Sequence, residues 1–445
     1  MRKLTHHIVL AALLCGSASI GFAQTPNNSA VESLSHPISD LQQVTPRTVG
    51  IAANKHGGTG IIQDAATSGL PGVDSVTNWS DQFTEPGFDS NGNPQSVWPY
   101  TMVGNPPESN RPTTFNAPVV PMTLDLLAPD GTVAVSNGHP LTFVATPAIV
   151  DNVLESPIFE PWFYTSGVGQ FNDQMMRAEF WNRINHHSAD ADADRDDGWH
   201  NNLRPRVKTG RHMQIPFGFW SFFVDKNKVP VAANVDVNAF ASLLFPPAAP
   251  DNTTPVGAAE IAGDITTHDI STFLFNNVFL YGNGNPKDCC IIGFHSYDLE
   301  AGDNTNGNRE RRFVLNYSSW VSTNFFSGGF QDVTAISHEM SETFNDPFVN
   351  NATPWWLVTD PFRKGAAQCQ NNLESGDVIE ILSSDAVFPI SMNGRTYHPQ
   401  NEALFSWFAF QSPSQAHLGA YSFPDETTLT ALSPANLLPG CTPAP

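Results

Sequence analysis

Between Asp332 and Pro347 the chain reads Asp-Val-Thr-Ala-Ile-Ser-His-Glu-Met-Ser-Glu-Thr-Phe-Asn-Asp-Pro, and no other stretch restricts the fold as much. At about 100° per residue, Ile336, Met340 and Phe344 fall on one side of a helix, while His338, Glu339, Glu342 and Asp346 gather on the other. His338 and Glu342 stand at i and i+4, the spacing that lets two side chains of one helix reach the same metal ion. Glu339 sits beside them, where a general base would. The plain alternative is a helix whose apolar face packs and whose polar face is merely wet.

A metal held by two side chains needs a third ligand. Asp346 lies one turn beyond Glu342 on the same face, but Pro347 follows it, so the helix should end or bend there. Farther on, Cys369 to Asp377 reads as a turn-rich segment carrying Glu374 and Asp377. The spacing of Glu374 from the helix is similar to that of the third ligand in Glu-type zinc peptidases, which arrives from a separate element. Glu374 is therefore the first choice, Asp377 the second and Asp346 the third. An ordinary turn carboxylate is the competing reading of Asp377.

Residues 1–23 have the parts of a secretory signal: Arg2 and Lys3, an apolar run from Ile8 to Leu14, and a small-residue cleavage site at Gly21-Phe22-Ala23. The expectation is a secreted or periplasmic protein beginning near Gln24, with no membrane span. Of the five cysteines, Cys289, Cys290, Cys369 and Cys441 follow the cleavage site. An even number in an oxidising compartment suggests two disulfides. Direct bonding of the adjacent Cys289 and Cys290 requires a strained turn, so each is expected to pair with Cys369 or Cys441. A zinc thiolate site has no C-x-x-C spacing in its favour.

A net charge of −22 argues against nucleic acid as a partner, because phosphate binding needs a positive face. Residues 24–78 are polar and turn-rich and read as a mobile leader or pro-segment. From Trp79 to Asn152 short apolar runs alternate with turn residues, and Asp130-Gly131 gives a hairpin signal. Phe171 to Ile184 reads as a helix. Beyond His186 and His187, the acidic run Asp190 to Asp197 superficially suits calcium. An EF-hand loop starting at Asp192 fails, since Asp197 and Leu203 occupy the places that need Gly and a carboxylate. It reads as a solvated acidic loop.

His212 to Val224, Val229 to Val237, Cys289 to Ser296 and Phe313 to Tyr317 read as strands, with Asp269 to Tyr281 as a helix between them. The helix of His338 thus follows a strand and the Gly-rich loop Ser327-Gly328-Gly329. That order suits an α+β, zincin-like fold with a mixed, short-stranded sheet and many loops. Nothing between Trp79 and Ser433 looks like a linker, so 79–433 reads as one domain followed by a Pro-rich tail at 434–445. Nothing in the sequence specifies an oligomeric state.

Ser337-His338-Glu339-Met340-Ser341-Glu342, Asn345-Asp346-Pro347, Trp355-Trp356 and Glu374-Ser375-Gly376-Asp377 together resemble the pattern H-E-x-x-E-x-x-x-(D/N)-P … W-(Y/W) … E-x-G-D. This pattern recurs in uncharacterised secreted bacterial proteins and, more distantly, in plant Exordium-like, phosphate-induced proteins. The resemblance covers Phe313 to Asp377. It implies a zincin-like metal helix, carried onto His338, Glu339 and Glu342, but brings no settled reaction. Where Cys often follows E-x-G-D, this chain has Val378, which puts the disulfide arrangement in doubt.

Two function classes follow. In the first, the protein is a zinc metallopeptidase-like hydrolase of peptide or protein substrates: His338, Glu342 and a downstream carboxylate hold Zn²⁺, and Glu339 is the general base. Two carboxylate ligands lower the Lewis acidity of the ion relative to two histidines, which favours slower turnover or higher pH. In the second, the same ligands hold a structural Ca²⁺ or Zn²⁺ in a non-catalytic extracellular or cell-surface protein. Oxygen ligands speak for calcium and His338 for zinc. His398 and His295 read as satisfied structural histidines. No G-x-S-x-G elbow, phosphate loop or dinucleotide fingerprint competes.

Overall fold

The strands Thr113–Leu126 (β1), Trp220–Val224 (β2), Pro230–Asp236 (β3), Ile270–Asn276 (β4), Val278–Tyr281 (β5), Cys289–Glu300 (β6) and Glu310–Trp320 (β7) form the body of a 13-stranded mixed sheet in the computed structural model. The structure describes residues 28–48, 67–84, 97–184, 198–247, 250–359, 367–382, 385–430 and 432. Across the sheet the order is β2-β3-β5-β6-β7-β4-β1. β6 and β7 are antiparallel, with His295 opposite Asn316 and Tyr297 opposite Val314, and β4 runs parallel to both β7 and β1.

Both faces of this sheet are covered, and alternation along the strands divides the side chains between two cores. Phe115, Ala117 and Val119 of β1 join the core on one face; Val120, Met122, Leu124 and Leu126 join the other. In β7, Val314 lies in the first core while Phe313, Leu315 and Tyr317 lie in the second. The second face is covered by two helices, α2 (Val237–Leu244) and α3 (Pro255–Ile261), through Phe240, Leu244 and Val256. The first face carries the long-range packing around α1 (Phe171–Glu179) and α4 (Thr334–Asn345), where Ile336, Met340 and Phe344 are buried as their spacing requires. After α4 come a hairpin, β8 (Ala352–Thr359) and β9 (Ala367–Asn372), and then α5 (Ser375–Leu382).

The mixed, loop-rich α+β architecture expected from the sequence is present. Three expectations need correction. Asp269 to Tyr281 is two strands rather than a helix, separated at Asn277, whose φ of +52° breaks the run. Its residues, polar and apolar alike, are buried on both sheet faces, so no period of two is visible. The described part of the expected leader is built into the sheet: Ser35–Pro37 runs parallel to β2, and Arg47–Thr48 runs parallel to β6. Third, the turn-rich segment around Glu374 and Asp377 is the end of β9 followed by α5. The signal segment 1–23, the acidic run near Asp190 to Asp197 and the tail 434–445 lie outside the described residues. Cys289 and Cys290 are buried at the start of β6 with their sulfurs against one another; their expected partners Cys369 and Cys441 lie outside the residues whose side chains are described. No described helix is long and apolar enough to cross a membrane.

One buried acid ties the helices of the first face together. Glu179, at the end of α1, accepts from the backbone N–H of Phe405 and, at 3.5 Å, from the side-chain amide of Asn345 on α4. Burial pushes its carboxyl up to about 8. The folded chain therefore holds a proton that the unfolded chain releases, and this contribution to stability is full below the unfolded value of 4.5 and is lost as pH rises toward about 8. Glu179→Gln removes that slope. Its unfolding free energy should gain on the wild type by about 4 kcal/mol as pH rises from about 5 to about 8.5, read as a rising difference in thermal midpoint. Parallel midpoints across that range would show that Glu179 is not held protonated.

Candidate metal centre

Every residue of α4 is buried, so its polar side is not a wet face. The segment was amphipathic in sequence; in the fold its acids and histidine face other side chains. His338, Glu339 and Glu342 all have no exposed surface. Burying so many ionisable groups is costly unless they are paired with one another or with ions.

Two triads are assembled around Glu342. In one, His338 Nε2 lies 2.9 Å from Glu342 Oε1 and 3.8 Å from Asp377 Oδ1. In the other, His295 Nδ1 lies 3.2 Å from Glu342 Oε2 and 3.8 Å from Glu374 Oε2. Within each triad the ligand atoms lie inside 4.8 Å of one another. Two ligands about 2.1 Å from a tetrahedral ion are separated by roughly 3.4 Å, so these spacings bracket what a zinc ion needs.

Local structure explains how the acids converge. β9 and α5 carry the downstream pair, with Glu374 just before the helix and Asp377 in its first turn. Asn372 donates its side-chain amide to Glu374 Oε1 at 2.7 Å, which leaves Oε2 turned toward His295. The backbone N–H of Gly376, at the positive end of α5, donates to Glu342 Oε1 at 3.1 Å. Gln400 fastens α5 to α4 by donating its side-chain amide to Gly376 O at 2.9 Å and its backbone N–H to Ser337 Oγ at 2.8 Å. Beyond the triads, Glu380 Oε1 stands 3.5 Å from His338 Nδ1, the position of a carboxylate that orients a metal-binding imidazole.

Several of these atoms lack a directed partner. Both ring nitrogens of His295, both carboxylate oxygens of Glu339, Glu342 Oε2 and Glu374 Oε2 are buried with no hydrogen-bond partner among the described residues. Close approach without directed hydrogen bonds is what a cluster shaped around a cation shows, and the N and O donor set fits zinc. Without an ion, protons and ion pairs share out the charge of the cluster. Burial pushes Glu339 up to about 8, and burial together with the charge of Glu342 pushes Glu374 and Asp377 well above the carboxylate range. Burial opposes the charged forms of Glu342, His338 and His295, yet their mutual attraction prevails: Glu342 is held well below its usual value and both imidazoles well above theirs.

The sequence candidates thus separate. His338, Glu342, Glu374 and Asp377 come together, but Asp377 rather than Glu374 completes the triad of His338, reversing the expected preference. Asp346 belongs to neither triad: as the residue closing α4 it accepts from the backbone N–H of Asn350 at 2.9 Å and Asn351 at 3.0 Å. Glu339 points to β6, 3.6 Å from His295 Nδ1 and over Gly293, where a Cβ would come within 2.5 Å of its Oε1. His398 is a satisfied structural histidine, its Nδ1 2.6 Å from Asp332 Oδ2. His295 is not: it is a centrepiece of the cluster that reasoning from sequence discounted. A third acidic group, Glu260 with Asp298 and Glu300, lies apart from these triads. Burial and its two acidic neighbours push Glu260 up to about 10, so that group is held together by a retained proton.

With this geometry in place, comparison with known proteins adds no relative: no protein-family model, no curated protein and no solved structure matches the chain.

Proposed function

We propose that the protein is a metal-dependent hydrolase of zinc-peptidase type, with His338, Glu342 and Asp377 holding the ion and Glu339 acting as general base. The observation that carries this reading is Glu339 itself, a carboxylate with neither oxygen hydrogen-bonded, next to an imidazole and carboxylate cluster. Most buried carboxylates have their lone pairs satisfied. A divalent ion held there would supply Lewis acidity and activate water for attack. Beside such an ion Glu339 would take a proton from water and return it to a leaving amine. Glu380 orients the His338 ring, and the amide of Gly376 holds Glu342. The zincin-like character of the fold, export through residues 1–23 and a peptide or protein substrate belong to this same proposal.

One observation favours a second reading, a structural ion in a non-catalytic secreted or cell-surface protein. His338, Glu342 and Glu374 have no exposed surface, and structural sites are closed whereas catalytic sites keep an open position. Glu339→Gln separates the two. Under the hydrolase reading the variant keeps its metal content and loses peptide cleavage by about 10²-fold or more. Equal cleavage by both proteins removes Glu339 from its role. Metal in both with cleavage in neither supports the structural ion.

A further inference from the structure

We infer that the cluster is a two-cation centre bridged by Glu342, with one ion held by His338, Glu342 and Asp377 and a second by His295, Glu342 and Glu374. This deepens the proposed reading of the first triad as a cation site and rests on it. The bridge is visible in the carboxylate: Oε1 of Glu342 is 2.9 Å from His338 Nε2, while Oε2 is 3.2 Å from His295 Nδ1. A carboxylate that offers one oxygen to each of two ions sets them about 3.5–4 Å apart, the separation of two-metal hydrolytic sites.

Three further observations point to the second ion. Among the described residues, both buried ring nitrogens of His295 lack a hydrogen-bond partner, and its Nδ1 stands within 3.2–3.8 Å of three acids. Glu374 reaches that position with one oxygen free because Asn372 holds the other. Charge gives the third. Among the described residues, Glu339, Glu342, Glu374 and Asp377 form ion pairs with the two histidines and with no lysine or arginine. When all four acids are ionised, two divalent ions balance their charge. Each ion then has one nitrogen and two oxygen ligands, a donor set suited to zinc or manganese.

The test is a zinc titration of the chelator-stripped full chain, read by native mass spectrometry and by calorimetry. The wild type should take up about two zinc ions per chain. His295→Gln and Glu374→Gln should each weaken one equivalent by about 100-fold or more while retaining the other; Asp377→Asn should do the same to the opposite equivalent, and Glu342→Gln should weaken both. Circular dichroism of each stripped variant shows that it is folded, and agreement between His295→Gln and Glu374→Gln guards against a local packing defect. A single equivalent in the wild type, or two unaltered equivalents in both His295→Gln and Glu374→Gln, overturns the inference. Two equivalents without peptide cleavage keep the centre and discard the hydrolase; one equivalent with cleavage does the reverse.

Discussion

Stripping metal from the wild-type protein with a chelator at neutral pH should lower its thermal midpoint by about 10 °C, and added zinc should restore it. The size follows from linkage. An ion present at about a thousand times its dissociation constant stabilises the folded chain by about 4 kcal/mol, and each kcal/mol moves the midpoint of a large domain by roughly 2–4 °C. Without a cation the fold must hold Glu339, Glu342, Glu374 and Asp377 at nearly complete burial with two imidazoles as their only ion-pair partners among the described residues. Some of that cost is relieved because burial favours the protonated forms of Glu339, Glu374 and Asp377, so the deficit should widen as pH rises. Differential scanning calorimetry with and without chelator reads the effect. Superimposable transitions would mean that the cluster contributes no ion to the folded state.

Gly376→Ala should be the most damaging single methyl group that can be added to this region. A Cβ on Gly376 would stand 2.2 Å from His338 Nδ1, 2.3 Å from Cε1 and 2.6 Å from Cγ, far closer than van der Waals contact allows. The imidazole is fully buried, with Glu342 on one nitrogen and Glu380 near the other, so it has nowhere to turn. Either α5 moves away from α4 or His338 leaves its place. The expected cost is about 3 kcal/mol in stability, with zinc affinity reduced by about 100-fold or more. Gly293→Ala provides the contrast. There the new methyl meets the Oε1 and Cγ of Glu339 at 2.5 and 2.7 Å, and that flexible side chain can rotate aside. Zinc uptake should survive in Gly293→Ala while cleavage falls with the displaced Glu339. Wild-type zinc affinity in Gly376→Ala would show that the His338 ring is not a ligand.

The contrast between those two glycines marks what sequence can and cannot express. His338, Glu339 and Glu342 are legible because they share one helix, where spacing along the chain translates directly into proximity. His295 carries no such signal. It lies on β6, between Phe294 in one core and Tyr297 in the other, and only the packing of α4 across β6 brings it to the acids. Glu374 and Asp377 could be nominated by residue type, but their division between two histidines depends on the turn from β9 into α5. Gly376 and Ser375 made that turn look like a loop, although Val378, Ile379 and Leu382 follow at helical spacing. The strands β4 and β5 were obscured for the opposite reason: a run such as Ser-Thr-Phe-Leu-Phe, buried on both faces, has no periodicity to read. The polar face of α4 shows the same effect, because a helical pattern reveals which residues share a side but not whether water or an ion awaits them.

The proposed catalytic ion lies between α4 and α5. Crystals of the protein, grown from material purified without chelator, should give an anomalous difference peak above the zinc edge within about 2.3 Å of His338 Nε2 and Glu342 Oε1, vanishing below the edge. Density at that point which shows no change across the edges of zinc and manganese, with His338 bonded directly to Glu342 as a simple ion pair, would contradict it.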